Sequence, residues 1–146
     1  MSNNRTVTVN ASMANGFAVT ADIDGHKMSI DQPVTAKGTG TGPTPLQMLL
    51  FAVGGCIGTI ARIAAFQKKI DLRGMQISVA GDYNPAGLMG KETKDRNGFS
   101  QIRITASIDA DLTEAEKKQF LDEVCERCPL HDNIAHTTEV VQNLST

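Results

Sequence analysis

One long apolar segment constrains the fold of this chain more than any other feature. Its large apolar side chains cover nearly the whole circumference of a helix: Leu46, Met48, Leu49, Leu50, Phe51, Val53, Ile57 and Ile60. A helix that is apolar all round is normally buried all round. A chain of 146 residues can hardly enclose such a helix alone, so the segment predicts a dimer whose two copies share a core.

The residues that flank this segment define the two ends of the predicted helix. Thr44 is a good N-cap, Pro45 suits the first helical position, and Gln47 completes a capping box. Polar residues return at Gln67-Lys68-Lys69, where we expect the helix to end.

Three glycines lie inside the predicted helix, and each costs about 1 kcal/mol relative to alanine. Gly54 and Gly58 are four residues apart and therefore share one face. We expect another helix to pack closely against that face; a loose kink is the alternative.

The rest of the chain shows alternating strands and one further capped helix. Alternation predicts strands at 6–9, 17–23 and 26–30, with an Asp24-Gly25 hairpin turn, and two more at 75–83 and 102–108, joined by a polar loop. Thr113 and Glu116 form a capping box that opens a helix ending near Cys128, because Pro129 restricts that residue. A short helix at 130–136 and a last strand at 138–141 complete the order βββ-α-ββ-α-α-β. This order predicts an α+β fold in a single domain, residues 1–146, with sheets around the buried helix.

Composition excludes several classes of partner. The net charge is −2, 4% of residues are aromatic, and there is no Trp, so we expect neither nucleic acid nor an anionic membrane as a partner. The apolar part of the long helix, 46–61, is shorter than the roughly 20 residues of a membrane span. The first six residues lack the apolar core of a secretory signal, and the cysteine count is odd. Together these features predict a cytoplasmic protein.

Two cysteines occupy contrasting settings. Cys56 lies among glycines in the apolar helix, in Gly54-Gly55-Cys56-Ile57-Gly58, whereas Cys128 ends a charged helix. In a two-cysteine redox cycle, a thiol in an apolar pocket attacks a peroxide, and a second thiol then closes a disulfide with it. Burial opposes this chemistry because it raises a thiol pKa, so a reactive Cys56 needs a positive or hydrogen-bonding partner. Otherwise Cys56 is a small core residue.

Cations that could activate Cys56 are not fixed by the sequence. Arg62 lies about 120° away around the helix and is a poor partner. The other arginines are Arg5, Arg73, Arg96, Arg103 and Arg127, and the sequence does not choose among them.

The Cys125-x-x-Cys128 spacing permits two other interpretations. A thioredoxin-like motif lies at a helix N-terminus, whereas this one ends a helix, where the dipole has the wrong sign. Cys125, Cys128, His131 and His136 offer four zinc ligands, although the spacing from cysteine to histidine is tighter than in zinc fingers. We expect no metal or other cofactor, and we place Cys125 in the buried stripe of its helix.

The motifs around the two cysteines resemble those of the OsmC/Ohr family. The resemblance rests on the run from Gly42-Pro43-Thr44-Pro45 to Leu50, on Gly54-Gly55-Cys56, and on Cys128-Pro129-Leu130 about seventy residues later. The order of strands and helices matches the family from end to end.

This resemblance implies an intertwined homodimer with its long helices buried together and its active sites at the subunit interface. It implies a peroxidase, a thiol-dependent hydroperoxide reductase acting on organic peroxides, with inorganic peroxides as further candidate substrates. Cys56 would become a sulfenic acid and Cys128 would close the disulfide. A dithiol reductant, lipoyl-based in the organic-hydroperoxide branch, would reopen it.

The chain departs from the family pattern at the start of the long helix. The family usually has a Glu in that first turn, which orients an Arg toward the thiolate. This chain has Leu46 and Gln47 there, and Lys37 precedes them. Gln47 can support the site by hydrogen bonding, or it can simply cap the helix at Thr44. The departure points to the broader OsmC-like branch. A differently specialised protein of the same fold that binds a small ligand or thiol is the alternative function.

Overall fold

A computed structural model describes residues 3–145 of the chain. The chain divides into two compact units, one ending at Leu49 and the other beginning at Leu50, and each is described by itself. The single-domain assignment for 1–146 stays a prediction.

The first unit contains a three-stranded antiparallel sheet in the order β1-β2-β3. Its strands are β1 (Ala11–Met13), β2 (Val19–Ile23) and β3 (His26–Ile30). Asp24 and Gly25 form the predicted turn with positive φ angles of 52° and 86°, and the Asp22 carboxylate accepts a hydrogen bond from the Gly25 N–H at 2.8 Å. The strand predicted at 6–9 was wrong: the first strand begins at Ala11, because only the residues from Ala11 onward pair with β2.

The loop after β3 is folded around the buried carboxylate of Asp31. This side chain is 1% exposed, and both oxygens accept hydrogen bonds from the loop that leads to the long helix. Oδ1 accepts the Gln32 N–H at 2.7 Å, and Oδ2 accepts the N–H and hydroxyl groups of both Thr39 and Thr41. These bonds lower the pKa of Asp31 well below its usual range, the Thr39 hydroxyl making the largest contribution.

Helix α1 (Pro45–Lys68) begins and ends as predicted. The Gln47 side chain accepts the Thr44 N–H at 2.9 Å and the Thr44 hydroxyl accepts the Gln47 N–H at 3.3 Å, which confirms the capping box. Within the described chain α1 is long and apolar enough to cross a membrane by length and composition alone. The core helix of a water-soluble protein passes the same test, so the expectation of no membrane partner stays a prediction.

The second unit packs one face of α1 against a two-stranded sheet and two further helices. Strands β4 (Gly74–Asp82) and β5 (Gln101–Asp109) pair antiparallel along their whole length, with Ile77 opposite Ala106. Helices α2 (Glu114–Arg127) and α3 (Pro129–Ala135) follow, and the predicted capping box of Thr113 and Glu116 is present. No strand forms at 138–141, where the described chain is irregular; that prediction was wrong because these residues pair with neither sheet.

The core of this unit explains why only one face of α1 is covered. The fully buried residues of α1 are Val53, Ile57, Ala61 and Ala64, which pack with Val124 and Cys128. Phe51 is 72% exposed and Phe66 is 76% exposed. A single chain therefore covers one side of the helix only, as expected for a chain of this size, and the dimer that would cover the other side stays a prediction.

Candidate functional site

Cys56 lies on the side of α1 that faces the core. It is partly exposed and packs against the buried cluster.

The helix glycines on either side of Cys56 face strand β4. A Cβ atom added at Gly54 would lie 3.6 Å from Val79, and one at Gly58 would lie 3.7 Å from Ile77. These are ordinary contacts with strand β4. The expectation that another helix packs on these glycines was therefore wrong for this chain, because side chains of a strand occupy the space.

Cys128 lies at the junction between α2 and α3. It is the C-cap of α2 and the N-cap of α3, and its Sγ accepts the N–H of His131 at 3.4 Å. Its side chain is 0% exposed. The sequence pattern predicted only that Cys128 ends a helix. It did not reveal that Cys128 also caps the next helix. Pro129 was the available signal, because proline favours the first position of a new helix.

The fold places the Cys56 and Cys128 thiols close enough for one to shift the pKa of the other, and all three cysteines of the chain are free. Burial raises the pKa of the Cys56 thiol, and the neighbouring Cys128 raises it further; the Leu130 backbone N–H acts in the opposite direction. Two neighbouring thiols are candidates for a disulfide, which requires Cα atoms within about 7 Å of each other.

Two polar contacts hold the elements that carry these cysteines. Arg127 of α2 donates to the Gln67 side-chain oxygen of α1 at 2.9 Å, and Lys68 pairs with Glu123 at 3.0 Å. Both contacts lie at the end of α1 and the last turns of α2. They fix Cys128 relative to the helix that carries Cys56.

No described residue that shifts the pKa of Cys56 carries a positive charge. Several arginines have other partners: Arg62 donates to the Leu72 carbonyl at 2.6 Å, Arg73 pairs with Asp109, and Arg103 pairs with Asp82. The sequence correctly rejected Arg62. Gln47 is engaged in the cap of α1, so its supporting role in the site stays a prediction.

The four candidate zinc ligands do not form a preassembled site. Across residues 3–145, no group of three or more His, Cys, Asp or Glu side chains is placed to hold a metal ion. Cys125 is partly exposed rather than fully buried, and it packs at the edge of the core. Burial raises the pKa of its thiol, and the neighbouring Cys128 raises it further.

Comparison with known proteins assigns the family. The family model described as OsmC-like protein matches residues 38–142, which include both Cys56 and Cys128. The chain belongs to the OsmC-like protein family. The resemblance inferred from the cysteine motifs is thereby confirmed.

Relatives of this OsmC-like protein include a hydroperoxide reductase from Mycoplasma pneumoniae (strain ATCC 29342 / M129 / Subtype 1). It is 28% identical over 130 residues, which cover 88% of this chain and 86% of the relative. The crystal structure of an OsmC-like protein from Mycoplasma pneumoniae is similar, with a TM-score of 0.79, 24% identity and coverage of 92% and 90% of the two chains.

A third similar structure is the organic hydroperoxide resistance protein OhrB of Bacillus subtilis. Its TM-score is 0.59 at 21% identity, and the match covers 91% of this chain and 93% of OhrB. The two structural matches confirm the OsmC-like α+β fold. At identities of 24% and 21%, these similarities show the fold only.

Proposed function

We propose that this OsmC-like protein is a thiol-dependent hydroperoxide reductase in which Cys56 and Cys128 form one redox pair. The observation that carries the proposal is the proximity of the two thiols, which come from distant parts of the sequence and meet at the edge of the core. A relative named hydroperoxide reductase, at 28% identity, supports a peroxide-related role.

The proposed cycle has three steps: attack on the peroxide, closure of the disulfide and reduction of the disulfide. The Cys56 thiolate attacks the distal peroxide oxygen, the O–O bond breaks, and the alcohol leaves as the sulfur becomes a sulfenic acid. Cys128 then attacks that sulfur, and a disulfide forms as water leaves. A dithiol reductant, lipoyl-type by family resemblance, exchanges with the disulfide and becomes a disulfide itself, so both cysteines return to thiols.

The surroundings favour organic hydroperoxides. Cys56 packs among apolar residues of α1 and the core, including Ile57 and Ile60. Apolar walls bind an alkyl group, whereas hydrogen peroxide gains nothing from them. The cycle requires a reducing compartment, so we propose that the protein works in the cytoplasm.

We further propose that the protein is a homodimer through the uncovered side of α1. The exposed apolar residues on this helix are Leu49, Phe51, Ile63 and Phe66. Large apolar side chains exposed along one helix are typical of an interface. Its position on the helix that carries Cys56 supports an active site close to that interface.

The decisive experiment compares Cys56→Ser with Thr59→Ser on the same helix. Thr59 is exposed and its hydroxyl donates to the Gly55 carbonyl, a bond that serine retains. We expect Cys56→Ser to abolish dithiol-dependent consumption of an organic hydroperoxide and Thr59→Ser to preserve it. Persistent activity in Cys56→Ser rules out the proposed mechanism.

A non-enzymatic role in binding a small ligand or thiol is the second candidate. The raised pKa of Cys56 and the lack of a cation among the described groups that shift it favour this role, because a neutral thiol is a poor nucleophile. In that case both cysteines stay reduced when stoichiometric organic peroxide is added.

A further inference from the structure

The third cysteine opens onto a surface cleft, whereas its neighbour Cys128 does not. Cys125 lies in the last turn of α2 and is partly exposed. It lines a cleft of about 420 Å³ together with Asp122, Glu126, His131, Asp132 and His136. Cys128 is absent from this lining and is 0% exposed. A reductant in the cleft therefore meets Cys125, whereas Cys128 is enclosed by the core.

The two neighbouring cysteines lie within one helical turn of each other. The Cys128 N–H donates to the Cys125 carbonyl at 3.3 Å, the contact of residues three apart at a helix end. Side chains at this spacing have Cβ atoms about 5–6 Å apart, and a disulfide needs about 3.5–4.5 Å. Cys128 has already left the helical conformation, with ψ of 117°, so closing the gap calls for a rearrangement at the end of α2 only.

We propose that Cys125 takes over the disulfide from Cys56 and presents it to the reductant at this cleft. The inference rests on the proposed peroxidase cycle and adds one step to it. The Cys125 thiolate attacks Cys128 Sγ, the Cys56–Cys128 bond breaks, and a Cys125–Cys128 disulfide forms. Cys56 leaves as a thiolate and takes up the proton that Cys125 lost. The dithiol reductant then reduces the new disulfide.

The relay separates the two halves of the cycle in space. Cys56 lies on the helix whose uncovered side we assign to the dimer, and Cys128 lies within the core. Cys125 is the member of the three that lines the cleft between the end of α2 and α3. Transfer to Cys125 lets a bulky dithiol act there without approaching Cys56.

Two variants test the relay without peroxide. Diamide, a general thiol oxidant, is added to Cys56→Ser, and peptide mapping is expected to show a Cys125–Cys128 disulfide. In a second arm, Cys125→Ser is oxidised with diamide to the Cys56–Cys128 disulfide and then reduced with dihydrolipoamide. We expect reduction about tenfold slower than in the wild type, because the accessible attacking thiol is missing. Gln119→Ala, at an exposed position of α2, is the control and should match the wild type.

The outcomes separate the relay from the peroxidase. Absence of a Cys125–Cys128 disulfide in oxidised Cys56→Ser overturns the relay, and so does a Cys125→Ser reduction rate equal to that of the wild type. If organic peroxide fails to oxidise the wild type while both diamide arms give the expected results, the peroxidase proposal fails and the exchange between thiols stands.

Discussion

Cys56 on α1 and Cys128 just before α3 lie close enough that Cys128 raises the pKa of the Cys56 thiol. The pair is held by different means on its two sides: Cys56 by the packing of α1 on the core, and Cys128 by its role as the cap between two helices. The Leu130 N–H contacts Cys56 and the His131 N–H contacts Cys128. Two consecutive backbone N–H groups at the start of α3 therefore interact with the two sulfur atoms, one with each.

The pH dependence of Cys56 oxidation follows from the direction of its pKa shift. Burial and Cys128 both raise the pKa of Cys56, so the thiolate fraction is small at neutral pH. Below that pKa, we expect the rate of sulfenic acid formation to rise about tenfold per pH unit. Stopped-flow measurement of peroxide consumption in a single turnover gives the profile.

Removal of the Cys128 thiol sharpens this test. Cys128→Ala deletes a group that raises the pKa of Cys56, so its profile should shift toward acid relative to the wild type. A wild-type rate that is constant from pH 6 upward would contradict the prediction. It would show that a positive group lowers the pKa of Cys56 in the assembled protein.

The buried carboxylate of Asp31 should stabilise the protein only while it is ionised. Its folded pKa is lowered, so its contribution is complete above the unfolded pKa of about 4 and is lost as the pH falls toward the folded value. Asp31→Asn replaces an acceptor of several N–H and O–H bonds with a partial donor, and we expect a lower urea midpoint at pH 7. The difference from the wild type should narrow at pH 3.

Asp24→Asn is the matched control for Asp31. Asp24 is exposed and has a positive φ in the β2–β3 turn, a conformation that Asn tolerates well. Its urea midpoint should equal that of the wild type at both pH values. An Asp31→Asn protein as stable as the wild type at pH 7 would show that the loop does not depend on the carboxylate.

Alanine substitution should change the free energy of unfolding in opposite directions at two glycines. At Gly58 the added methyl group makes an ordinary 3.7 Å contact with Ile77, so Gly58→Ala should stabilise the helix by up to about 1 kcal/mol. At Gly42 it would lie 2.1 Å from the Ser29 carbonyl oxygen, so Gly42→Ala should destabilise the protein. Urea denaturation measures both free energies of unfolding. Destabilisation by Gly58→Ala would indicate a close neighbour from a second copy.

The proposed dimer depends on the exposed aromatic residues of α1. Phe66→Glu should weaken association by about 10- to 100-fold, because burial of a phenylalanine contributes about 1.5–3 kcal/mol. Sedimentation should give twice the 15.6 kDa chain mass for the wild type and a concentration-dependent mixture for the variant. Leu144→Glu, at a 92% exposed position, should remain dimeric. A monomeric wild type contradicts the proposal.

Local patterns predicted most of the fold. Caps at Thr44 and Thr113 and the Asp24-Gly25 turn located helix and strand ends because each depends on neighbouring residues. The errors arose where strand formation depends on pairing with another strand. Residues 6–9 and 138–141 alternate or have strand propensity, but they lack partner strands. Gly54 and Gly58 were assigned to a helix contact for the same reason, since sequence spacing does not show which element lies opposite.

The candidate site was predictable as a pair of residues but not as a geometry. Motif and family resemblance singled out Cys56 and Cys128, and tertiary folding brings them together. The N–H donors of Leu130 and His131 are backbone groups, which residue types do not reveal. Cys125 packs against the core, as the buried-stripe prediction has it, but it is only partly buried, because its exposure depends on the rotation of α2 relative to the core.

Intact-mass measurement after one equivalent of an organic hydroperoxide tests the central claim most directly. We predict loss of about 2 mass units, the two hydrogens lost on disulfide formation. Peptide mapping at the earliest times should place the bond between Cys56 and Cys128. An unchanged mass with all cysteines reduced, or oxygen addition at Cys56 with no disulfide, would contradict the account.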